Sequence, residues 1–273
     1  MRWGRIALVG LVLACAHTEP AGPQAWIPPG AYRVGSPPVE REWAYKHSPE
    51  IVRAQRWYDI WEQPPTTLAI RGFWIDRTPV TQAEYAEFVQ TTGRRSPGIT
   101  REQYTEQGFL VHPYEDVEPY VWNGSSPPQG LESHPVVLVS QGDAQAYCLW
   151  HGRRLPGAEE WESACRGSGG RLFPWGNAWS RGRAHTDAMG TAPVGTHPEG
   201  ATPEDIQDLA GNVFEWTASP FGNARVAVKG CAWDDAPGSC RCAFRHGRPA
   251  DSRHILVGFR CIEPGSDDHP PPS

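Results

Sequence analysis

Sulfur is the chemistry this sequence offers most plainly. It has seven cysteines: Cys231, Cys240 and Cys242 crowd into one stretch, Cys148 and Cys165 lie upstream, Cys261 follows, and Cys15 stands near the start. A thiolate pair can hold a soft metal or cycle with a disulfide, whereas an oxidised pair is a staple. For Cys231 and Cys240 two readings stand side by side. One is a bridge closing a small loop around the turn at residues 235–238; the other is a metal-binding or redox thiolate pair. Histidine offers less. None of the ten is in an H-E-x-x-H helix, and His246 and His254 flank a loop without a third ligand, so they read as core or surface histidines. Ser252 adjoins Asp251 and lies near His254 in sequence only, which is not triad geometry.

The elements that must position these cysteines can be read from caps and periodicity. Residues 72–89, GFWIDRTPVTQAEYAEFV, predict a short strand at 73–76, a turn at Pro79, and a helix opened by Thr81 with Glu84 in the capping-box position. Tyr85, Phe88 and Val89 share its inner face. Residues 133–152 repeat the logic, with a buried strand at 136–139, Ser140 as cap and Gly152 as stop; Ala144, Tyr147 and Cys148 form the buried stripe. The helix in residues 153–167 opens after Pro156 with Glu159 and Glu160 in its first turn, turns Trp161, Ala164 and Cys165 inward, and ends at Gly167. Residues 36–67 and 94–132 show no dominant period and read as long surface loops. The rest is turns and short strands, which gives an α+β class.

Composition agrees with sparse regular structure. The 273 residues include 29 Gly and 28 Pro, well above the roughly one-eighth of average usage, and 13 Trp, whose large rings can organise a loop-rich core. A net charge of -6 and a pI near 5.9 leave no basic field for nucleic acid. Arg241, Arg245, Arg248, Arg253 and Arg260 are interleaved with Asp234, Asp235 and Asp251, which reads as an internal salt-bridge network.

The first residues form an address. Arg2 and Arg5 precede an apolar run at residues 6–14, too short to cross a bilayer, which is the pattern of a signal peptide. The small residue before Cys15 resembles a bacterial lipobox, implying cleavage before Cys15 and lipid on its sulfur. Six cysteines then remain in an oxidising compartment, enough for three bridges with fifteen possible pairings. Residues 1–14 are thus expected as the lipoprotein signal, 15–27 as a tether, 28–263 as one domain and 264–273 as a disordered tail. Ala16 lacks the acidic charge that, by resemblance, retains lipoproteins at the inner membrane, so the outer membrane is the expected location.

Read in order, GFWIDRTPVTQAEYAEF, HPVVLVSQGDAQAYCLWHGRRLPGAEEWESACRG, LFPWGN, TAPVG, DLAGNVFEWT and GFRC resemble the formylglycine-generating, or sulfatase-modifying-factor, family over residues 28–262. The resemblance implies a disulfide-stapled fold of low regularity related to C-type lectins. It also implies the bridges Cys148 with Cys261 and Cys165 with Cys242.

The resemblance further implies oxygen chemistry on a substrate cysteine, using copper(I) held by two cysteines. Here Asp234 or Asp235 falls where the first of these should stand, Cys231 takes the place of a Ser, and Cys240 lies two residues before Cys242. Phe214 replaces a Trp beside the family's active site, and Gly157 replaces a capping Thr. The expected function is therefore a membrane-anchored, extracytoplasmic, non-catalytic or re-purposed module presenting loops to a protein, peptide or small ligand. The alternative is a copper-dependent oxidase making formylglycine in a sulfatase through Cys231 and Cys240. The family's calcium loop maps onto Asp208 and Glu215 by carboxylate and onto Gly211 and Val213 by backbone oxygen, a hard all-oxygen set. A second such site near residues 185–187 is shortened.

Overall fold

Short elements joined by tightly hydrogen-bonded turns build the chain, as its glycine and proline content requires. The computed structural model describes residues 22–108 and 111–265. The proposed signal, the lipid on Cys15 and the start of the tether lie outside the described residues, as does most of the tail. In chain order the elements are β1 (Gln24–Ile27), β2 (Gly30–Val34), α1 (Pro38–Lys46), α2 (Glu50–Ala54), α3 (Trp57–Trp61), β3 (Thr66–Ile70), β4 (Phe73–Asp76), α4 (Gln82–Thr92), α5 (Arg101–Gln107) and α6 (Tyr114–Val117). There follow α7 (Gln141–Trp150), α8 (Ala158–Arg166), β5 (Phe214–Pro220), β6 (Val226–Lys229), β7 (Arg245–Arg248), β8 (Val257–Gly258) and β9 (Ile262–Pro264).

The strands form three small sheets, ordered β1-β4-β9, β2-β3 and β7-β6-β5-β8. All pairings are antiparallel except β5 with β8. This is the expected α+β class. The three anticipated helices open where their caps place them. Thr81 and Glu84 make a reciprocal capping box on α4, and Ser140 does the same with Asp143 on α7. Gly157 has no side chain to cap α8, so Glu160 accepts its backbone N–H at 2.7 Å instead.

Four expectations need correction. The apolar run at residues 136–139 is buried but makes no strand, because Leu138 sits at φ 58° and the segment bonds singly to Val80, His254 and Gly98. Residues 36–67 hold α1, α2, α3 and the start of β3, and residues 94–132 hold α5 and α6. Pro38 at the first turn starts α1, and a capping box from Thr100 to Gln103 starts α5. The tether is shorter than residues 15–27, because 24–27 form β1, paired to β4 from Gln24↔Asp76 to Ile27↔Phe73. At the other end Pro264 pairs with Phe73, so the domain runs past residue 263.

Aromatic rings fill two apolar clusters. In the larger, Tyr85 stacks on Tyr147 at 5.6 Å, and Phe259 meets Tyr147 at 5.4 Å. The smaller joins β1, β4 and α8 through Phe73, Ile75 and Trp161. Some buried indoles find acceptors, Trp216 donating to Val139 O at 3.0 Å and Trp122 to Gln82 Oε1 at 2.6 Å, whereas Trp233 Nε1 finds none among the described residues.

The C-terminal arginines are paired, but with partners distant in sequence rather than with the interleaved aspartates. Arg241 meets Glu62 with both side chains wholly buried, and Ser36 Oγ donates to the same carboxylate. Arg260 grips Glu215 through two bonds of 2.8 Å, and Arg253 pairs with Asp143. These three pairs tie the end of α3, β5 and α7 to the last third of the chain.

Candidate functional site

Cys148 is bonded to Cys261 and Cys165 to Cys242, with sequence separations of 113 and 77. The first bridge fixes α7 to the start of β9; the second fixes α8 to the segment before β7. Cys231 and Cys240 are joined by a third bond across a separation of 9. Both sulfurs are buried, and Cys231 Sγ accepts the Gly211 N–H at 2.9 Å. Every cysteine among the described residues is therefore a half-cystine. A bonded pair offers no thiolate, and a carboxylate at Asp234 or Asp235 is a hard donor, so the residues present do not fit copper(I).

The loop closed by the third bridge is pinned from outside. A β-carbon on Gly238 would stand 2.0 Å from Ser48 Oγ and 2.4 Å from Ala44 O, so only glycine lets the loop lie this close to α1. The bridge and this contact fix the backbone that carries Asp234 and Asp235.

Those two acids border a cleft of about 410 Å³ that reasoning from sequence did not find. Its walls are aromatic. Trp57 and Trp61 of α3 lie 4.6 Å apart, Phe214 at the head of β5 meets His246 of β7 edge-on at 4.6 Å, and Phe244 stacks on His246 at 5.9 Å. Ile51 and Val111 lie at its border with 52% and 68% of their surface exposed, an apolar rim facing water. The signal was present in part: Trp57 and Trp61 sit at helical spacing, and Phe214 is a position that the sequence resemblance singles out.

Polar groups converge on this apolar space. Asp234 Oδ2 accepts from or pairs with His112 Nε2 at 2.9 Å. Asp235 Oδ2 accepts the Ala232 N–H at 2.8 Å. Burial and the neighbouring Asp234 push the Asp235 carboxyl up to about 7, outweighing the pull of Arg248. Burial pushes the Arg248 guanidinium down to about 10. Its Nε donates to His246 Nε2 at 3.1 Å. Burial first, then Arg248, hold His246 well below the ordinary imidazole range. The ring is thus neutral with its proton on Nδ1, and that buried N–H has no acceptor among the described residues.

The expected calcium loop lies elsewhere. Asp208 and Asn212 adopt φ 58° and 63°, and Gly211 at φ 87° would clash with His185 O, 2.6 Å away, if it carried a β-carbon. Asp208 Oδ2 accepts the Gly195 N–H at 2.7 Å and has no ion-pair partner among the described residues. Burial, then the nearby Glu215 charge, raise its carboxyl above the ordinary range despite Gly195 and Arg260. Glu215 is neutralised by Arg260 and accepts the Trp161 indole N–H at 2.7 Å. A buried carboxylate short of positive charge suits a hard cation, so of the two expected acids Asp208 is open to one, while Glu215 is already engaged. Among the described residues no group of three or more His, Cys, Asp or Glu could hold a metal. His246 and His254 share no ligand set, and Ser252 Oγ has no hydrogen-bond partner, so neither a zinc site nor a triad is present there.

Residues 13–264 match the sulfatase-modifying factor enzyme 1-like domain. The chain is 33% identical to inactive C-alpha-formylglycine-generating enzyme 2 of Mus musculus over 243 residues, covering 73% of this chain and 78% of that protein. It is 30% identical over 275 residues to the formylglycine-generating enzyme of Mycobacterium tuberculosis, covering 74% and 90%. The hercynine oxygenase of Mycolicibacterium smegmatis is 32% identical over 243 residues, covering 73% and 54%. Among solved structures, PvdO from Pseudomonas aeruginosa superposes with a TM-score of 0.65 at 22% identity over 88% of this chain and 94% of that one.

Proposed function

The chain belongs to the sulfatase-modifying factor enzyme 1-like family, and on that premise we propose that it is a member without copper-thiolate chemistry, serving as a rigid extracytoplasmic binding module. The observation that supports this reading is the Cys231–Cys240 bond, which leaves Asp235 rather than sulfur beside the cleft. Three bridges suit an oxidising compartment. Among the described residues no helix is long and apolar enough to cross a membrane. Lipid on Cys15 would then tether the domain, with the outer membrane as its place and a protein, peptide or small molecule as its ligand. Calcium is the proposed cofactor, held by Asp208 with the backbone oxygens of Gly211 and Val213 while Glu215 stays with Arg260, and its contribution there would be to neutralise a buried carboxylate and rigidify a turn.

Counting thiols on the mature protein before and after reduction tests the reading. No free thiol before reduction and six after it are expected. Two titratable thiols that take up copper(I), together with aldehyde formed on a Cys-containing sulfatase peptide under oxygen, would return the chain to the oxidase class.

A further inference from the structure

We infer that the cleft between α3 and the β5–β7 strands binds a small organic ammonium carried on a flat aromatic body, with Trp57, Trp61, Phe214 and Phe244 around the body and Asp234 and Asp235 facing the charge. This deepens the binding-module reading and rests on it.

Three features of the cleft converge. Its volume is that of a small-molecule site, about 410 Å³. Its aromatic wall is continuous, since Trp61 lies 6.2 Å from Phe244 and Phe244 lies 6.2 Å from Phe214. Faces of Trp and Phe attract cations as well as apolar surface, and ammonium groups are recognised by such walls. The second feature is the acid pair. His112 orients Asp234, and the disulfide loop holds Asp235 at the edge of the same space.

Two cations also border the cleft, and they set the limits of what it accepts. Arg225 is at an exposed position, where water screens it. Arg248 is buried, but its Nε is directed at His246. The Asp235 carboxyl still rises to about 7, so the effect of burial and Asp234 exceeds that of Arg248. Positive charge brought by a ligand would favour the ionised form of Asp235, whereas an anion would meet Asp234 and Asp235 with only the screened Arg225 and the His246-directed Arg248 to offset them. The third feature is the His246 Nδ1–H, a buried donor without an acceptor among the described residues. It calls for an acceptor oxygen on the ligand's ring, because leaving a buried donor unmet costs about 1–3 kcal/mol.

The test uses the full mature protein at pH 8, where Asp235 is ionised, after thiol counting has shown the bridges intact. Three probes differ only in the terminal group: 2-(4-methoxyphenyl)ethylamine, 2-(4-methoxyphenyl)ethanol and 3-(4-methoxyphenyl)propanoate. Titration calorimetry should show the amine binding about tenfold or more tighter than the alcohol, with the propanoate weakest. Asp235→Asn should bring amine and alcohol together, and Trp61→Ala should weaken every probe. If Trp61→Ala does not fold, Trp57→Ala serves in its place. An alcohol that binds as well as the amine, a propanoate that binds better, or no heat from any probe with all bridges intact would overturn the inference. None of these would touch the absence of thiolates, which thiol counting decides separately.

Discussion

Replacing Asp235 by Asn should stabilise the protein above neutral pH and do little in acid. The carboxyl moves from an ordinary 3.8 up to about 7 in the folded chain. Between those values the folded state holds a proton that the unfolded state has released. Stability therefore falls as pH rises from about 4 to about 7 and is flat above, the opposite of a salt-bridged carboxylate. A shift of about three units corresponds to a ceiling of about 4 kcal/mol. The carboxyl faces an open cleft, so water screens part of this, and about 2 kcal/mol is the working value. Asparagine keeps the oxygen that accepts the Ala232 N–H and cannot ionise. The groups facing the position are Asp234, Arg248 and His246, with His112 behind Asp234, and the substitution leaves all of them in place. In a chain of this size, about 2 kcal/mol raises the melting temperature by about 4–8 °C. Thermal unfolding followed by near-ultraviolet circular dichroism at pH 4, 6 and 8 reads the difference, with Asp251→Asn as the control. A gain of similar size at pH 4 and pH 8, or a loss at pH 8, would refute the reasoning.

Other perturbations reach other parts of the molecule. Glu62→Ala leaves Arg241 buried without its partner and should cost about 3–5 kcal/mol in denaturant unfolding, whereas Arg56→Ala, in an exposed pair, should leave the unfolding midpoint nearly unchanged. Replacing Cys148 and Cys261 together by Ser should destabilise by about 5 kcal/mol, and replacing Cys231 and Cys240 by about 2.5 kcal/mol, because loop-closure entropy grows with the separations of 113 and 9 residues. Chelator should lower the melting temperature if calcium occupies the Asp208 loop, and Asp208→Ala should abolish that response; a wild-type protein indifferent to chelator would remove calcium from the account.

Much of the fold is legible where local chemistry decides it. Thr81 with Glu84 and Ser140 with the following turn announce α4 and α7, and the periodicity of α7 and α8 puts the sulfurs of Cys148 and Cys165 inward. The bridge partners came from family resemblance, since arithmetic leaves the pairings open. What was missed depends on contacts distant in sequence. Val136 to Val139 read as a strand by composition, yet their backbone bonds go singly to Val80, His254 and Gly98. α1 to α3 lack a sustained period because each is short and is held by neighbours: Tyr58 by Ser48 and Ser239, Glu62 by Arg241. The capping box at Thr100 and Gln103 was in plain view without a hydrophobic stripe to support it. The cleft was invisible because its wall comes from α3 and β5–β7, brought together only by the fold. Asp235 was noticed for what it displaces, and its charged state is set by burial that sequence does not display.

Gly238 has a practical consequence for anyone who would retune the module. The cystine loop is seated on α1 with no room for even a methyl group, so libraries that randomise it will be dominated by chains that cannot close. The opposite bank tolerates more: Ile51 and Ile60 are largely exposed, at 52% and 67%, and Ile51 overlooks the entrance. Selectivity can be rewritten from the helical bank while the cystine bank is left as an immovable reference edge.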